Sequence, residues 1–96
     1  MDITINGKRV TLRDKIPARL GWEKVVGKAD QYQRPFAEIP FDDLAALMTV
    51  AVESWEFAGD PAAAQSYEAL DLVNEFMPLA NELGGWLSAR FSTPKN

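Results

Sequence analysis

The sequence predicts a mainly α fold: a small helical domain of three to four helices with an N-terminal β-hairpin. Three observations predict it: strict alternation around Asn6-Gly7, an apolar run with helical spacing at residues 41–57, and a second helical pattern at 66–91. At 96 residues the chain is expected to be a single domain, 1–96. Its expected parts are a hairpin at 2–12, a helical part at 14–91 and a frayed tail at 92–96.

The hairpin is predicted by its turn and its alternation together. Asn6-Gly7 suits the two positive-φ positions of a type I′ turn. A two-residue loop there pairs Ile5 with Lys8 and, further out, Ile3 with Val10. One face then carries only apolar side chains, namely Met1, Ile3, Ile5, Val10 and Leu12. Because an isolated hairpin is marginal in water, this face is expected to lie on the rest of the domain.

A short helix is expected after the hairpin. Asp14 is a candidate N-cap, with Pro17 in the first turn. Ile16, Leu20 and either Val25 or Val26 are expected to be buried. The following segment, QYQRPFAEIP at 31–40, is expected to be a loop.

The apolar run predicts a helix from Asp42 to Phe57, with acidic residues in its first turn. Its main stripe is Leu44, Leu47, Met48, Ala51 and Trp55. Between Leu44 and Val52 only Thr49 is polar, so this helix has more apolar circumference than a thin core is expected to cover. We therefore expect a partner-binding surface on it that includes Met48 or Val52 and at least one of Trp55 and Phe57.

Helix punctuation is expected at AGDP, residues 58–61, where Gly59 ends one helix and Asp60 caps the next. In that next helix, Leu70, Val73 and Met77 share a face, with Phe76 beside it. Pro78 interrupts the helix, since it has no N–H to donate. A further helix from about Leu79 is expected to face inward through Ala80, Leu83 and Leu87. Of the three tryptophans, Trp22 and Trp86 are expected to anchor the core, with Trp55 the exception.

The residue types argue against catalysis. The chain has no Cys and no His, which removes thiolate zinc sites, Cys nucleophiles and His-dependent triads. Glu68, Asp71 and Glu75 share a helix face, which is expected to be solvated rather than to hold a cation. Glu53 and Glu56 are expected to be exposed, and no serine has a base to activate it. We therefore assign no catalytic, cofactor-binding or metal residue, expect no enzymatic activity and expect no cofactor.

Charge and hydropathy limit the partners. The net charge is −4, divided into +4 over residues 1–34 and −8 over residues 35–96. Whole-chain binding to nucleic acid needs a dominant basic face and is not expected. No apolar run approaches the about 20 residues of a membrane span, so no membrane partner is expected either.

Two central segments carry a family pattern, IPFDDLAALMTVAVESWEFAGDP at 39–61 and SYEALDLVNEFMPLANEL at 66–83. They look like the small tail assembly chaperones of long-tailed bacteriophages. The opening ITINGKRVTLRD at 3–14 is similar to the short hairpin with which many small phage tail proteins begin. The resemblance implies a small helical protein, without enzymatic activity or cofactor, in the cytoplasm of the infected bacterial host. It would bind the tape measure protein and keep that long apolar protein soluble while tail tube subunits gather around it.

Three functions are thus expected in order. The first is a non-catalytic tail assembly chaperone that binds the tape measure protein, and also a second copy of itself when no partner is present. The second is a small acidic inhibitor or nucleic-acid mimic that binds a basic partner. The third is a structural subunit of the tail, which would polymerise alone. Salt separates the first two, because charge-driven binding weakens as ions screen it whereas apolar binding tolerates salt.

Overall fold

A computed structural model of the chain describes residues 1–28, 35 and 38–91. The elements in chain order are β1 (Asp2–Ile5), β2 (Lys8–Leu12), α1 (Ala18–Lys24), a 3₁₀ turn (Val26–Lys28), α2 (Phe41–Ala51), β3 (Val52–Trp55), a second 3₁₀ segment (Ala64–Ala69), a π-helical turn (Leu72–Phe76) and α3 (Met77–Phe91). The mainly helical class with an N-terminal hairpin is confirmed. The tail at 92–96 and most of the expected loop at 31–40 lie outside the described residues.

The predicted hairpin is confirmed in turn and register. Asn6 and Gly7 have φ values of 50° and 78°, as a type I′ turn requires. Ile3 lies opposite Val10 and Ile5 opposite Lys8. The inward face buries Ile5, Val10 and Leu12 and half-buries Ile3, whereas Met1 is exposed. The inward face of the hairpin therefore forms one side of the hydrophobic core.

The first helix is shorter than predicted and is capped differently. The residue that precedes it is Pro17, without a side-chain cap, whereas Asp14 accepts a hydrogen bond of 3.3 Å from the N-terminal amine of Met1. A Cβ on Gly21 would lie 2.9 Å from Ile16 Cγ2, so the glycine lets Ile16 lie against the helix. Trp22, expected in the core, is 69% exposed, which corrects that prediction.

The largest correction concerns the predicted helix from Asp42 to Phe57. The helix ends at Ala51, and Val52–Trp55 form the third strand of an antiparallel sheet in the order β1-β2-β3. The Arg13 N–H donates to the Ala51 carbonyl oxygen at 2.8 Å, at the residue where the helix ends and the strand begins. Because a two-stranded hairpin is only marginally stable, its open edge gains more from a third strand than the chain gains from another helical turn.

A β-bulge explains why the apolar residues of β3 have the sequence spacing of a helix. Leu12 pairs with Val52 and Thr11 with Ser54, so Glu53 is the extra residue on β3. Val52 is buried, the next two side chains are exposed and Trp55 is half-buried. The bulge thus places residues three apart on one face, which is also the spacing of a helical stripe.

From Leu44 onward the large apolar side chains of α2 are enclosed within the domain, whereas Phe41 at its start is exposed. Its buried residues are Leu44, Ala45, Leu47, Met48, Val50 and Ala51. They belong to one hydrophobic cluster with the inward face of the sheet, Val25 after α1, Tyr67 of the second 3₁₀ segment, and Leu79, Ala80 and Leu83 of α3. Four different elements cover its sides, so even a thin domain surrounds an 11-residue helix.

Two buried aromatic side chains tie distant segments to this core through hydrogen bonds. The Trp86 Nε1–H of α3 donates to the Arg13 carbonyl oxygen at 2.9 Å, which confirms Trp86 as a core anchor. The Tyr67 hydroxyl lies 2.7 Å from the Pro61 carbonyl oxygen and 3.2 Å from that of Met48. Burial raises the pKa of Tyr67 well above its ordinary value, and the nearby negative charge of Asp60 adds to this effect. The hydroxyl therefore stays a donor.

Replacing Gly7 with Val is expected to lower the free energy of unfolding by about 1 kcal/mol or more, because a branched side chain disfavours positive φ. A Cβ at this position would meet no atom within 4 Å, so backbone conformation alone causes the loss. Urea denaturation measures it.

The matched control is Gly85→Ala, since a Cβ there also meets no atom within 4 Å but the residue lies inside α3. Ala should raise stability by about 0.5–1 kcal/mol through helix propensity. An unchanged stability in Gly7→Val would contradict the turn assignment.

Candidate partner-binding surface

The surface predicted on α2 is not available in the folded chain. Met48 and Val52 are 0% and 1% exposed. Both side chains belong to the central hydrophobic cluster. The prediction that either one lies on an open contact surface is therefore wrong, because the sheet, the 3₁₀ segment and α3 cover the side of α2 that was expected to be open.

Trp55 and Phe57, the other two predicted contact residues, are half-buried. Their rings meet edge to face at 5.4 Å between centroids, and the Trp55 ring is 4.8 Å from that of Tyr67. The Trp55 Nε1–H donates to the Gly59 carbonyl oxygen at 3.0 Å, and Lys8 Nζ lies 5.8 Å above the Phe57 ring. These contacts hold both aromatics against the end of the sheet with only part of each ring accessible. Whether they touch a partner stays a prediction.

A different group of apolar side chains is open. Leu72, Val73 and Met77 are between 52% and 67% exposed, and all three belong to the π-helical turn or to the first residue of α3. The exposed ring of Phe41, at the start of α2, stacks on the buried ring of Phe76 with 5.1 Å between centroids, and Phe76 lies in the same turn as Leu72 and Val73. We refer to Phe41, Leu72, Val73 and Met77 as the apolar patch.

The π-helical turn creates this patch by changing the helical phase. An ordinary helix would place Leu70, Val73 and Met77 together on the inward face, as the sequence predicts. In the structure the chain is extended at Leu70 and Asp71, and the wider turn that follows buries Phe76 while Val73 and Met77 face outward. The change from π to α geometry falls between Phe76 and Met77, and Pro78 is the second residue of α3, where its missing N–H costs no helical hydrogen bond. The predicted interruption at Pro78 is therefore displaced, because the irregular turn lies before the proline.

Hydrogen bonds fix the turn that carries the patch. The Asp71 side chain accepts from the Asn74 N–H at 2.7 Å, and Glu75 Oε1 accepts from the Asp71 N–H at 2.8 Å. This reciprocal arrangement resembles a capping box. The other oxygen of Glu75 accepts from Asn6 Nδ2 at 2.8 Å, which ties the turn to the hairpin 69 residues away. The patch therefore lies on a braced turn, that is, a turn whose conformation these hydrogen bonds hold.

Of the acidic residues Glu68, Asp71 and Glu75, which were expected to be solvated on one helix face, two stabilise the π-helical turn. Asp71 and Glu75 cap the π-helical turn, and Glu68 is exposed. Across the described parts of the chain, no three His, Cys, Asp or Glu side chains come together as metal ligands. Glu56, the other carboxylate considered for chemistry, accepts from the Arg9 N–H and extends the pairing of β3 with β2.

The charged residues that neighbour the patch along the sequence are acidic. Asp42 follows Phe41, Asp71 precedes Leu72, and both are exposed. From residue 35 to residue 89 the sequence contains no Lys or Arg, whereas all ten acidic residues of the second half lie within that range. The segments that carry the patch therefore bring acidic side chains and no basic ones with them.

The sequence does contain a signal for this surface, although the predicted stripe of Leu70, Val73 and Met77 places it on one helix face. The segment DLVNEFMP at 71–78 holds four large apolar residues within six positions, which is more than one inward helical face accommodates. Leu72 was not singled out from the sequence, because it falls outside the predicted stripe.

Met77→Ser and Leu72→Ser are each expected to change the free energy of unfolding by about 0.5 kcal/mol or less, since exposed side chains away from the core contribute little. Phe76→Ala, one residue away but 7% exposed, should cost about 3 kcal/mol or more. Thermal and urea denaturation of the three variants measure the contrast. A large loss in both serine variants would mean that the patch is core, not surface.

Comparisons of the chain with protein-family models, with curated proteins and with solved structures give no match. Within the described ranges, none of the helices combines the length and the apolar character needed to cross a bilayer.

Proposed function

We propose that this chain is a non-catalytic binding protein that holds an amphipathic helix of a partner against its apolar patch. The observation that supports it is the exposure of Leu72, Val73 and Met77 together on one braced turn. A monomer of this size rarely leaves such side chains side by side without a use, and contiguous exposed apolar surface is typical of binding sites. Met77 suits the role because its flexible thioether adapts to several partner shapes.

The specific form of the proposal is a phage tail assembly chaperone for the tape measure protein. The resemblance of residues 39–61 and 66–83 to that family supports it. In this form the protein has no cofactor and acts in the cytoplasm of the infected bacterial host. The tape measure protein is its partner, and the tail tube protein is a further one.

The size of the patch is consistent with repeated weak contacts. Burying one large apolar side chain completely is worth roughly 1.5–3 kcal/mol, whereas association costs about 4–15 kcal/mol in lost freedom and ordering. One patch on one helix is thus a weak contact. A long helical partner with many equivalent segments binds many copies, and each bound copy covers one stretch of its apolar surface.

The acidic mimic is the second candidate because ten acidic residues lie between positions 38 and 82. Two of them, Asp71 and Glu75, are engaged in caps of the chain's own backbone. A mimic predicts binding that collapses as salt rises, and the patch predicts binding that persists.

The experiment is co-expression with the tape measure protein encoded in the same genome, followed by co-purification at low and high salt. Wild-type chain should keep the tape measure protein in the soluble fraction at both salt concentrations. The double variant Leu72→Ser/Met77→Ser should lose the complex while its melting temperature stays near that of the wild type. Truncating an anchor of such a surface typically costs about 2 kcal/mol or more, equivalent to a roughly 30-fold weaker complex.

The matched control is Trp22→Ser, which removes a large exposed side chain outside the patch and should leave the complex intact. Trp55→Ala and Phe57→Ala in the same assay test the two aromatics as contact residues. Undiminished binding by the double variant contradicts the patch as the site. A genome without a tape measure gene beside this one contradicts the tail-assembly form of the proposal.

A further inference from the structure

A second exposed apolar surface lies on α1. Trp22 is 69% exposed, and Val26, four residues later, is 43% exposed. We refer to Trp22 and Val26 as the α1 patch. Its neighbouring charges are mainly basic, since Lys15, Arg19 and Lys24 are exposed nearby in the sequence and Glu23 is the one acid between positions 15 and 28.

The two surfaces are complementary in charge as well as in apolar character. Asp42, Asp71 and Glu75 lie on the same segments as the residues of the apolar patch, in a range of the sequence without Lys or Arg. Arg19 lies three positions before Trp22, which places the two side chains on the same side of a helix. One surface is thus apolar with an acidic rim, and the other is apolar with a basic rim.

We propose that the α1 patch of one copy binds the apolar patch of a second copy, head to tail, when no other partner occupies it. The proposal rests on the proposed function, because it assigns the apolar patch as a binding surface. Both surfaces are exposed within one chain, so neither covers the other, and their contact forms between copies.

Charge selects this arrangement over symmetric ones. Two apolar patches facing each other bring Asp42 and Asp71 of both copies together, and two α1 patches bring Arg19 against Arg19. Like charges across an interface disfavour such pairings. The mixed contact places acidic rims against basic ones, and Trp22 supplies the large aromatic anchor that binding sites favour.

A head-to-tail contact has two consequences: copies of the chain can add without limit, and the partner competes with a second copy for the apolar patch. A head-to-tail contact leaves one unused surface at each end, so copies add as concentration rises unless a ring closes. Each side offers two to four large side chains, whereas a stable interface uses about 20–30 residues and about 800 Å² a side, so the contact is weak. A helical partner that binds the apolar patch displaces the second copy.

The test is sedimentation equilibrium of the full chain at rising concentration and low salt. The apparent mass of the wild type should rise above the 10.7 kDa of one chain, and less so at high salt. Trp22→Ser alone and Met77→Ser alone should stay at the monomer mass, with unchanged circular dichroism melting curves. A one-to-one mixture should form a species of twice the monomer mass, because each variant supplies the surface that the other lacks.

Three results would overturn the inference: a wild type that stays monomeric throughout, a variant that still associates alone, or a mixture that stays monomeric while the wild type associates. Its failure is separable from that of the proposed function. Co-purification of the tape measure protein with Trp22→Ser does not depend on contact between copies, so a monomeric wild type that still binds the partner removes this inference alone. Self-association without partner binding removes the proposed partner and leaves the contact between copies.

Discussion

The pairing of β3 with β2 is the contact on which the rest of the structure depends. Helix α2 runs into β3 without a loop, so the register of β3 on β2 also fixes where the helix lies over the sheet. The Arg13 N–H on the Ala51 carbonyl oxygen marks that junction. From it follow the inward positions of Val52 and Trp55, and with them the place of Tyr67, whose ring lies against Trp55 and whose hydroxyl reaches the α2 backbone.

Enclosure of α2 decides where the accessible apolar surface lies. A helix that continued to Phe57 would leave β2 with an open edge and would expose part of its own circumference. With β3 in the sheet, α2 is covered on its sides, and Leu72, Val73 and Met77 are exposed where the chain changes from a π-helical turn to regular helix. The π-helical turn, held by Asp71, Glu75 and Asn6, is such a place. Because the pairing of β3 with β2 covers the side of α2, the candidate site lies mainly around the start of α3 instead.

Features governed by nearby residues could be predicted from the sequence. The type I′ turn at Asn6-Gly7 fixed the hairpin register, because turn chemistry and alternation agree on one pairing. Gly59 has the predicted positive φ of 90°, and Asp60 accepts from the Ala62 N–H at 2.9 Å. Both residues lie between a strand and a 3₁₀ segment rather than between two helices. The element before them is a strand because it pairs with β2, which is distant in the sequence.

Features that depend on distant partners could not be predicted in the same way. The bulge at Glu53 gives β3 the three-residue spacing of a helix, and only the free edge of β2 distinguishes the two. The phase change at residues 72–76 depends on Glu75 reaching both Asp71 and Asn6 of the hairpin. Tyr67 was missed as a core anchor because its two acceptors, on Met48 and Pro61, are 19 and 6 residues away. For Trp22 no local feature distinguishes an exposed ring from a buried one.

The three methionines can show whether a partner binds the apolar patch or the side of α2 that was predicted to be open. Met1 is exposed at the N-terminus, Met48 is fully buried in α2 and Met77 lies in the patch. Methyl-labelled methionine resonances can be followed by NMR while fragments of the tape measure protein are added. The Met77 methyl signal should shift or broaden, with the Met1 and Met48 signals unchanged. A perturbed Met48 signal beside an unchanged Met77 signal would contradict binding at the apolar patch.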